Sequence, residues 1–249
     1  MTQSRRASLT DKLTVLDLFA GIGGFSLGLE RTGGFETVAF CEIDPYCRVV
    51  LRKHWPNVRQ FEDVRTLTAT DVGPVDVISG GFPCQDISNA GKRAGIEGER
   101  SGLWSEYARL IGELRPRYVI VENVAALLGR GLGVIVGGLS GMGYDAEWGV
   151  IPASAAGALH DRARLWMVAY PSGYGSVGRG RIWPTAKSNE FEGLGTGELW
   201  TRREESLPVG ILDGVPSRMD RISSIGNAVV PQVVESIGNA ILQAEGRLT

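Results

Sequence analysis

Short runs of β-branched and apolar residues recur along the chain at 13–19 (LTVLDLF), 37–40 (TVAF), 75–79 (VDVIS), 117–121 (RYVIV), 146–151 (AEWGVI) and 164–170 (RLWMVAY). Between them, apolar positions fall at helical spacing over 25–31, 45–55, 103–114 and, interrupted by glycines, 132–142. Strands alternating with crossover helices predict βαβ units around a mainly parallel sheet, an α/β fold. From 171 to 220 the texture changes to glycines, prolines and polar residues with no sustained period, which predicts a small irregular lobe. The run PQVVESIGNAILQAEG then resumes helical spacing, with Val233, Val234, Ile237 and Ile241 on one face, and returns the chain to the main domain. The organisation expected is therefore a main domain over 1–170, a short region over 171–221 and a returning segment over 222–249.

Composition narrows this picture. With 249 residues, 43% of them hydrophobic and 22% charged, the chain can bury a substantial core. A formal net charge of -2 removes the simplest argument for nucleic-acid binding, so any basic surface must be local. Cys41, Cys47 and Cys84 are too few and too oddly spaced for a disulfide framework or a four-ligand zinc site, and no metal is expected. A reducing, cytoplasmic setting fits that cysteine usage. The start MTQSRRASLTDK lacks an apolar signal core, and the apolar stretch 131–144 falls short of the ~20 residues that cross a bilayer, so no membrane partner is expected.

The first strand runs straight into AGIGGFSLGLE, a glycine-rich turn that opens a helix at the carboxyl edge of the sheet, where α/β folds bind ligands. Gly21, Gly23 and Gly24 let backbone approach a bound molecule, and the helix N-terminus offers unpaired N–H groups. Such turns hold nucleotides of many kinds, and some only tighten a corner. The second strand ends in FCEIDP, which puts Glu42 about twenty residues beyond the glycines, where a carboxylate accepts from ribose hydroxyls. An adenosine-containing cofactor is the reading favoured over a helix-capping role for Glu42. Asp63, after FEDV, is placed to hold an adenine amino group.

At the carboxyl end of the central strand VDVIS comes GGFPCQDIS, so Cys84 stands beside a rigid proline and a flexible glycine pair. A lone cysteine is more often inert and buried, but the polar loop 85–100, with Ser88, Lys92, Arg93 and Arg100, argues against burial here. The strand RYVIV delivers Glu122 and Asn123, and HDRAR brings Arg162 and Arg164 to the last strand. Thiol, carboxylate and guanidinium would converge on one edge. A nearby arginine favours the attacking thiolate, and a carboxyl group can hold and protonate a heteroaromatic nitrogen.

The motifs DLFAGIGG, FCEIDP, GGFPCQ, ENV, RAR and IGNAVVP occur in the order seen in cytosine-C5 DNA methyltransferases, and the chain resembles that family over 15–169 and 222–242. The resemblance implies a Rossmann-like S-adenosylmethionine-dependent methyltransferase fold with a small irregular target-recognition lobe over 171–221. It implies a DNA (cytosine-5-)-methyltransferase in which a cytosine is flipped out of the duplex and Cys84 attacks its C6. Glu122 would hold N3 and the exocyclic amine, with Arg164, Arg162 and Asn123 around it. Phe19, Ala20, Gly21, Ile22, Gly23, Gly24, Glu42, Ile43, Asp63, Val64, Pro83, Leu103, Asn227 and Val229 would line the site for S-adenosylmethionine, which leaves as S-adenosylhomocysteine. Gln85, Ser88, Lys92, Arg100 and Arg181 would contact double-stranded DNA. A monomer in a bacterial or phage-infected cell is expected, with a cognate restriction nuclease as a further partner.

The chain departs from the family pattern in places. The interval from the RAR strand to IGNAVVP is short for a recognition domain, and its arginines (Arg179, Arg181, Arg202, Arg203), Lys187, Trp183 and Trp200 are diluted by Glu190, Glu192, Glu198, Glu204 and Glu205. His160 stands where glutamine is common, and Glu62 where glycine is. Competing readings are a tRNA cytosine-C5 methyltransferase, whose Cys-Phe-Thr signature is absent, a catalytically idle binding module, and a nicotinamide-dependent oxidoreductase, which would leave the Cys84 loop without a role.

Overall fold

The computed structural model describes residues 12–83, 102–156, 162–173 and 228–248. Seven strands form one sheet: β1 (Leu13–Leu18), β2 (Phe35–Cys41), β3 (Arg59–Phe61), β4 (Val77–Gly80), β5 (Tyr118–Val124), β6 (Tyr144–Ile151) and β7 (Arg164–Pro171). Their order is β3-β2-β1-β4-β5-β7-β6, with β1 to β5 parallel and β7 antiparallel to both neighbours. The helices are α1 (Gly24–Arg31), α2 (Pro45–His54), α3 (Ala69–Val72), α4 (Gly102–Leu114), α5 (Leu127–Arg130), α6 (Leu132–Gly141) and α7 (Pro231–Ala244). This is the Rossmann-like α/β fold expected, and its strand order reverses between β1 and β4, the place where such sheets open a ligand crevice at their carboxyl ends.

Alternation along the strands builds two cores. Leu16 and Leu18 of β1 face α4, α6 and the short α3, where Tyr107, Leu110, Ile111, Ile135 and Leu139 are fully buried. Leu13 and Val15 face the other way, onto Phe25 and Leu29 of α1 and Val233, Val234, Ile237 and Ile241 of α7. Each such aliphatic side chain contributes roughly 1.5–3 kcal/mol by leaving water. The apolar face read for α7 is the buried one. A bulge at Val38, between the pairs Val15–Thr37 and Leu16–Ala39, keeps Phe40 on the same face as Phe35.

Helix ends follow their sequence cues. The Asp44 carboxylate caps α2 by accepting from Cys47 N–H at 3.0 Å, with Pro45 in the first turn. Trp55 and Pro56 end it. Among the described residues no helix is long and apolar enough to cross a membrane.

Several boundaries differ from the pattern. The strand read at 75–79 begins at Val77, because the Asp76 carboxylate accepts from the Thr14 N–H and hydroxyl at 3.0 and 2.9 Å and anchors the strand's entry. β2 extends to Phe35–Cys41 and β6 starts at Tyr144, where Tyr144 pairs with Pro171. β3, α3 and α5 carried no readable period, being three or four residues long. The irregular lobe lies outside the described residues beyond Gly173.

Candidate active site

The glycine turn lies at the carboxyl end of β1. Phe19, Gly21 and Gly23 all have positive φ (52°, 55° and 88°), and Phe19 is a non-glycine residue in a conformation that L side chains resist, a form of strain that clusters at functional sites. Gly23 N–H closes the turn on the Ala20 carbonyl at 2.8 Å and caps α1. A Cβ on Gly21 would meet nothing within 4 Å, so open space faces the turn there. Ala20 is buried beneath it, and Ile22 is half-buried.

Glu42, just past β2, is 9% exposed. Its Oε2 accepts from Gly21 N–H at 2.6 Å and its Oε1 from Asp44 N–H at 2.8 Å, which ties the glycine turn to the start of α2. Each carboxylate oxygen retains capacity for a second donor. Ile43 beside it is 60% exposed, an apolar side chain left at the rim of the crevice. Val229 reaches the same turn from α7's entry, its Cγ2 lying 2.6 Å from where a Gly24 Cβ would stand.

Other expected cofactor residues are placed differently. The Asp63 carboxylate takes three donors from Arg65, its N–H, Nε and Nη2, and this pairing holds it below the usual carboxylate range. Val64 puts its side chain into the core at 4% exposure, and its carbonyl accepts from Arg109 Nη2 at 3.1 Å. Leu103 packs half-buried against that same core, and Pro83 is exposed at the end of the segment that follows β4. Cys84, Gln85, Ser88, Lys92, Arg100, Arg181 and Asn227 lie outside the described residues.

Glu122 stands beside the end of β4. It lies within β5, paired to Trp166 of β7, rather than beyond the strand's end. Arg164 opens β7 and sets its Nε 3.0 Å from Glu122 Oε1. Burial pushes the Glu122 carboxyl up to about 7, against the lowering charges of Arg164 and then Arg162. Arg162 is in turn lowered from its usual range by burial and by the like charge of Arg164. Gly81 approaches from the β4 side, where an added Cβ would stand 2.9 Å from Glu122 Oε2. A small cavity beside the pair is walled by Arg162, Trp166, Ile151, Val229, Val230 and Val233, so α7 closes the arginine side.

Asn123 points elsewhere. Its amide donates to the Phe82 carbonyl at 3.0 Å, while its Oδ1 accepts from Val124 N–H at 2.9 Å. At 3% exposure it holds the backbone two residues ahead of Cys84 and does not face the crevice through its side chain.

Sequence reading passed over Asp17, which is fully buried and accepts from Ser26 Oγ of α1 and Ser79 Oγ of β4 at 2.9 and 3.0 Å. Burial raises it to about 7. The signal was present as a lone carboxylate inside the apolar run LTVLDLF.

Comparisons with known proteins point to one family. The family model described as C-5 cytosine-specific DNA methylase matches residues 13–195. Type II methyltransferase M2.BsuMI of Bacillus subtilis is 35% identical over 165 residues, 63% of this chain and 42% of that protein. Type II methyltransferase M.Bsp6I of a Bacillus species is 37% identical over 164 residues, 64% of this chain and 52% of that protein. The chain thus spans about half the length of the curated relatives it matches. Among solved structures, a putative DNA modification methyltransferase encoded within an Escherichia coli prophage is similar at TM-score 0.54 and 30% identity, covering 64% of this chain and 47% of that one. A Spodoptera frugiperda DNMT2 structure shares the fold at TM-score 0.56 and 21% identity, over 65% of this chain and 51% of that one. With a family match over most of its length and the glycine turn, buried Glu122 and RAR strand set along one sheet edge, the chain belongs to the C-5 cytosine-specific DNA methylase family.

Proposed function

We propose that this chain is a DNA (cytosine-5-)-methyltransferase that uses S-adenosylmethionine and attacks cytosine through Cys84. The observation that carries the reading is the buried Glu122 carboxyl, pushed up to about 7 and held 3.0 Å from Arg164 Nε at the edge where β4 leads into Pro83 and Cys84. A carboxyl group near neutrality can hold a proton at a ring nitrogen at physiological pH.

The cofactor site fits S-adenosylmethionine on this chain's own features. Gly21 leaves open space, and Glu42 retains acceptor capacity for a ribose diol. Phe19, Gly21, Gly23, Glu42 and Val229 would hold the molecule. When bound, it supplies the sulfonium-activated methyl group that cytosine C5 accepts, and S-adenosylhomocysteine remains.

The protein groups make C5 reactive. A cytosine in a duplex presents neither face of C6, so the target base must leave the stack. The Cys84 thiolate forms a bond to C6, and the C5–C6 π pair moves towards C5 while Glu122 holds its proton at N3 and its second oxygen near the exocyclic amine. Arg164 fixes the orientation of Glu122 and balances charge as electron density shifts into the ring. After methylation a base takes the C5 proton, the C6–S bond breaks, and the thiolate is restored. Gln85, Ser88, Lys92, Arg100 and Arg181 are the proposed contacts to double-stranded DNA. The type II names of the relatives favour a modification role beside a cognate nuclease, in a bacterial or phage-infected cytoplasm.

The test is incubation of the protein and its Cys84→Ala variant with labelled S-adenosylmethionine and, separately, mixed-sequence duplex DNA and tRNA, followed by identification of the methylated base. 5-Methylcytosine in DNA, lost in the variant, is expected. Label confined to tRNA, or equal labelling by the variant, overturns the reading.

A further inference from the structure

A third, small apolar cluster lies directly under the glycine turn, separate from the two main cores. It consists of Ala20, Phe40 and Leu51, with Trp55 and Val58 packed against it. Trp55 is the residue that touches the turn itself. A Cβ on Gly23 would stand 2.6 Å from Trp55 Cζ3 and 2.7 Å from Cη2, so the six-membered ring of the indole lies against the bare Cα of the glycine that caps α1.

The indole is fixed in that orientation from two directions. Its Nε1–H donates to Glu30 Oε2 at 2.8 Å, and the other oxygen of Glu30 accepts from Thr37 N–H of β2 at 3.1 Å. The ring also meets Phe40 of β2 at 5.3 Å between centroids, tilted 65°. The sheet therefore positions Glu30, Glu30 positions Trp55, and Trp55 sets how far the turn can sink towards α2. Gly23 has φ 88° and closes its hydrogen bond on Ala20, whose own side chain rests on the same cluster. A turn of this kind holds a ligand through main-chain groups, so its backbone position is its binding function, and what fixes that position must lie behind it.

We infer that Trp55, oriented by Glu30, is a positioning residue for the cofactor, holding the glycine turn in its binding conformation from beneath without touching the bound molecule. The inference rests on the reading of that turn as the S-adenosylmethionine site. Removing the ring frees the turn on its α2 side and weakens cofactor binding, whereas the groups around Glu122 keep their places.

The experiment titrates S-adenosylhomocysteine calorimetrically into the full chain and measures methylation of duplex DNA with S-adenosylmethionine varied, for wild type, Trp55→Leu, Trp55→Phe and Glu30→Gln. Val72→Ala, in the core on the other face of the sheet, serves as a stability control. For Trp55→Leu, a rise of about tenfold in Kd and KM for the cofactor with kcat within about twofold is expected, since a sub-ångström displacement of a binding element is felt at this level. Trp55→Phe, which keeps a ring over Gly23, should recover most of the affinity. Glu30→Gln leaves the apolar volume intact and can satisfy only one of its two donors, so its KM rises by a smaller factor even where Trp55→Leu fails to fold. Val72→Ala should lower the Tm with KM unchanged. Unchanged cofactor affinity in all three Trp55 and Glu30 variants, or an equal rise of KM in Val72→Ala, overturns the inference. Failure of the wild type to bind S-adenosylhomocysteine overturns the cofactor reading itself, and is seen before any variant is compared.

Discussion

The Asn123 amide donates to the Phe82 carbonyl at 3.0 Å, joining the end of β5 to the backbone two residues before Cys84. Glu122 and Asn123 are neighbours in one strand, so their side chains take opposite faces. One of them carries the proposed proton, and the other fixes the chain that carries the proposed nucleophile.

Asn123→Ala leaves a buried carbonyl without its donor, a cost of about 1–3 kcal/mol. Methylation of duplex DNA should fall by roughly 10–100-fold while S-adenosylhomocysteine affinity stays at the wild-type value. Asn123→Asp keeps the acceptor for Val124 N–H but cannot donate in its ionised form, and should be no better than alanine. Equal losses of rate and cofactor affinity would show that the bond serves the fold generally.

The Glu122–Arg164 pair makes a prediction about pH. Burial raises the carboxyl to about 7, and the charge of Arg164 is the first of the influences that lower it. If the protonated form holds N3, the single-turnover methylation rate falls as pH rises through about 7. Arg164→Gln removes a lowering charge, so the falling limb moves to higher pH even as the rate drops. Glu122→Gln should remove the limb and cost about 10²–10⁴ in rate. A limb that stays in place in Arg164→Gln would mean that another group titrates.

Two helical glycines should respond to alanine with opposite signs. Alanine normally gains up to about 1 kcal/mol over glycine in a helix interior. At Gly28 the new Cβ would lie 2.4 Å from the Pro231 carbonyl and 2.5 Å from Val234 Cβ, so α7 must shift away from α1. A net loss of about 1–3 kcal/mol is expected by urea denaturation. At Gly137 of α6 nothing lies within 4 Å, and Gly137→Ala should stabilise by about 0.5–1 kcal/mol.

Asp17 couples stability to pH. Its folded value is raised from 3.8 to about 7, so the folded state binds the proton more tightly than the unfolded chain. Its contribution is complete below the unfolded value and is lost as pH rises towards about 7, each tenfold difference in proton affinity between the two states being worth about 1.4 kcal/mol. Asp17→Asn, which like the protonated carboxyl offers the two serines one acceptor and one donor, should match wild type in acid. A gap in favour of the variant should open between about pH 4 and 8 as the wild-type carboxyl loses its proton, a change read from paired urea titrations across that range. A constant gap would place the proton elsewhere.

Much of this protein is determined locally and was therefore legible in the sequence. The run LTVLDLF followed by glycines specifies a buried strand and a left-handed turn, because only glycine adopts those φ values freely and because apolar runs of that length bury on both faces of a parallel sheet. The apolar face of α7 and the edge positions of Glu42 and Glu122 follow from the same periodicities. Tertiary structure decided what depends on partners distant in the chain. Gly28 meets Pro231 only because α1 and α7 pack side by side, and β7 enters between β5 and β6, antiparallel to both. Asn123 clamps Phe82, and Trp55 lies under Gly23. Periodicity records which side of an element is buried, but hydrogen-bond partners and close approaches are set by the packing of elements, which no local pattern contains.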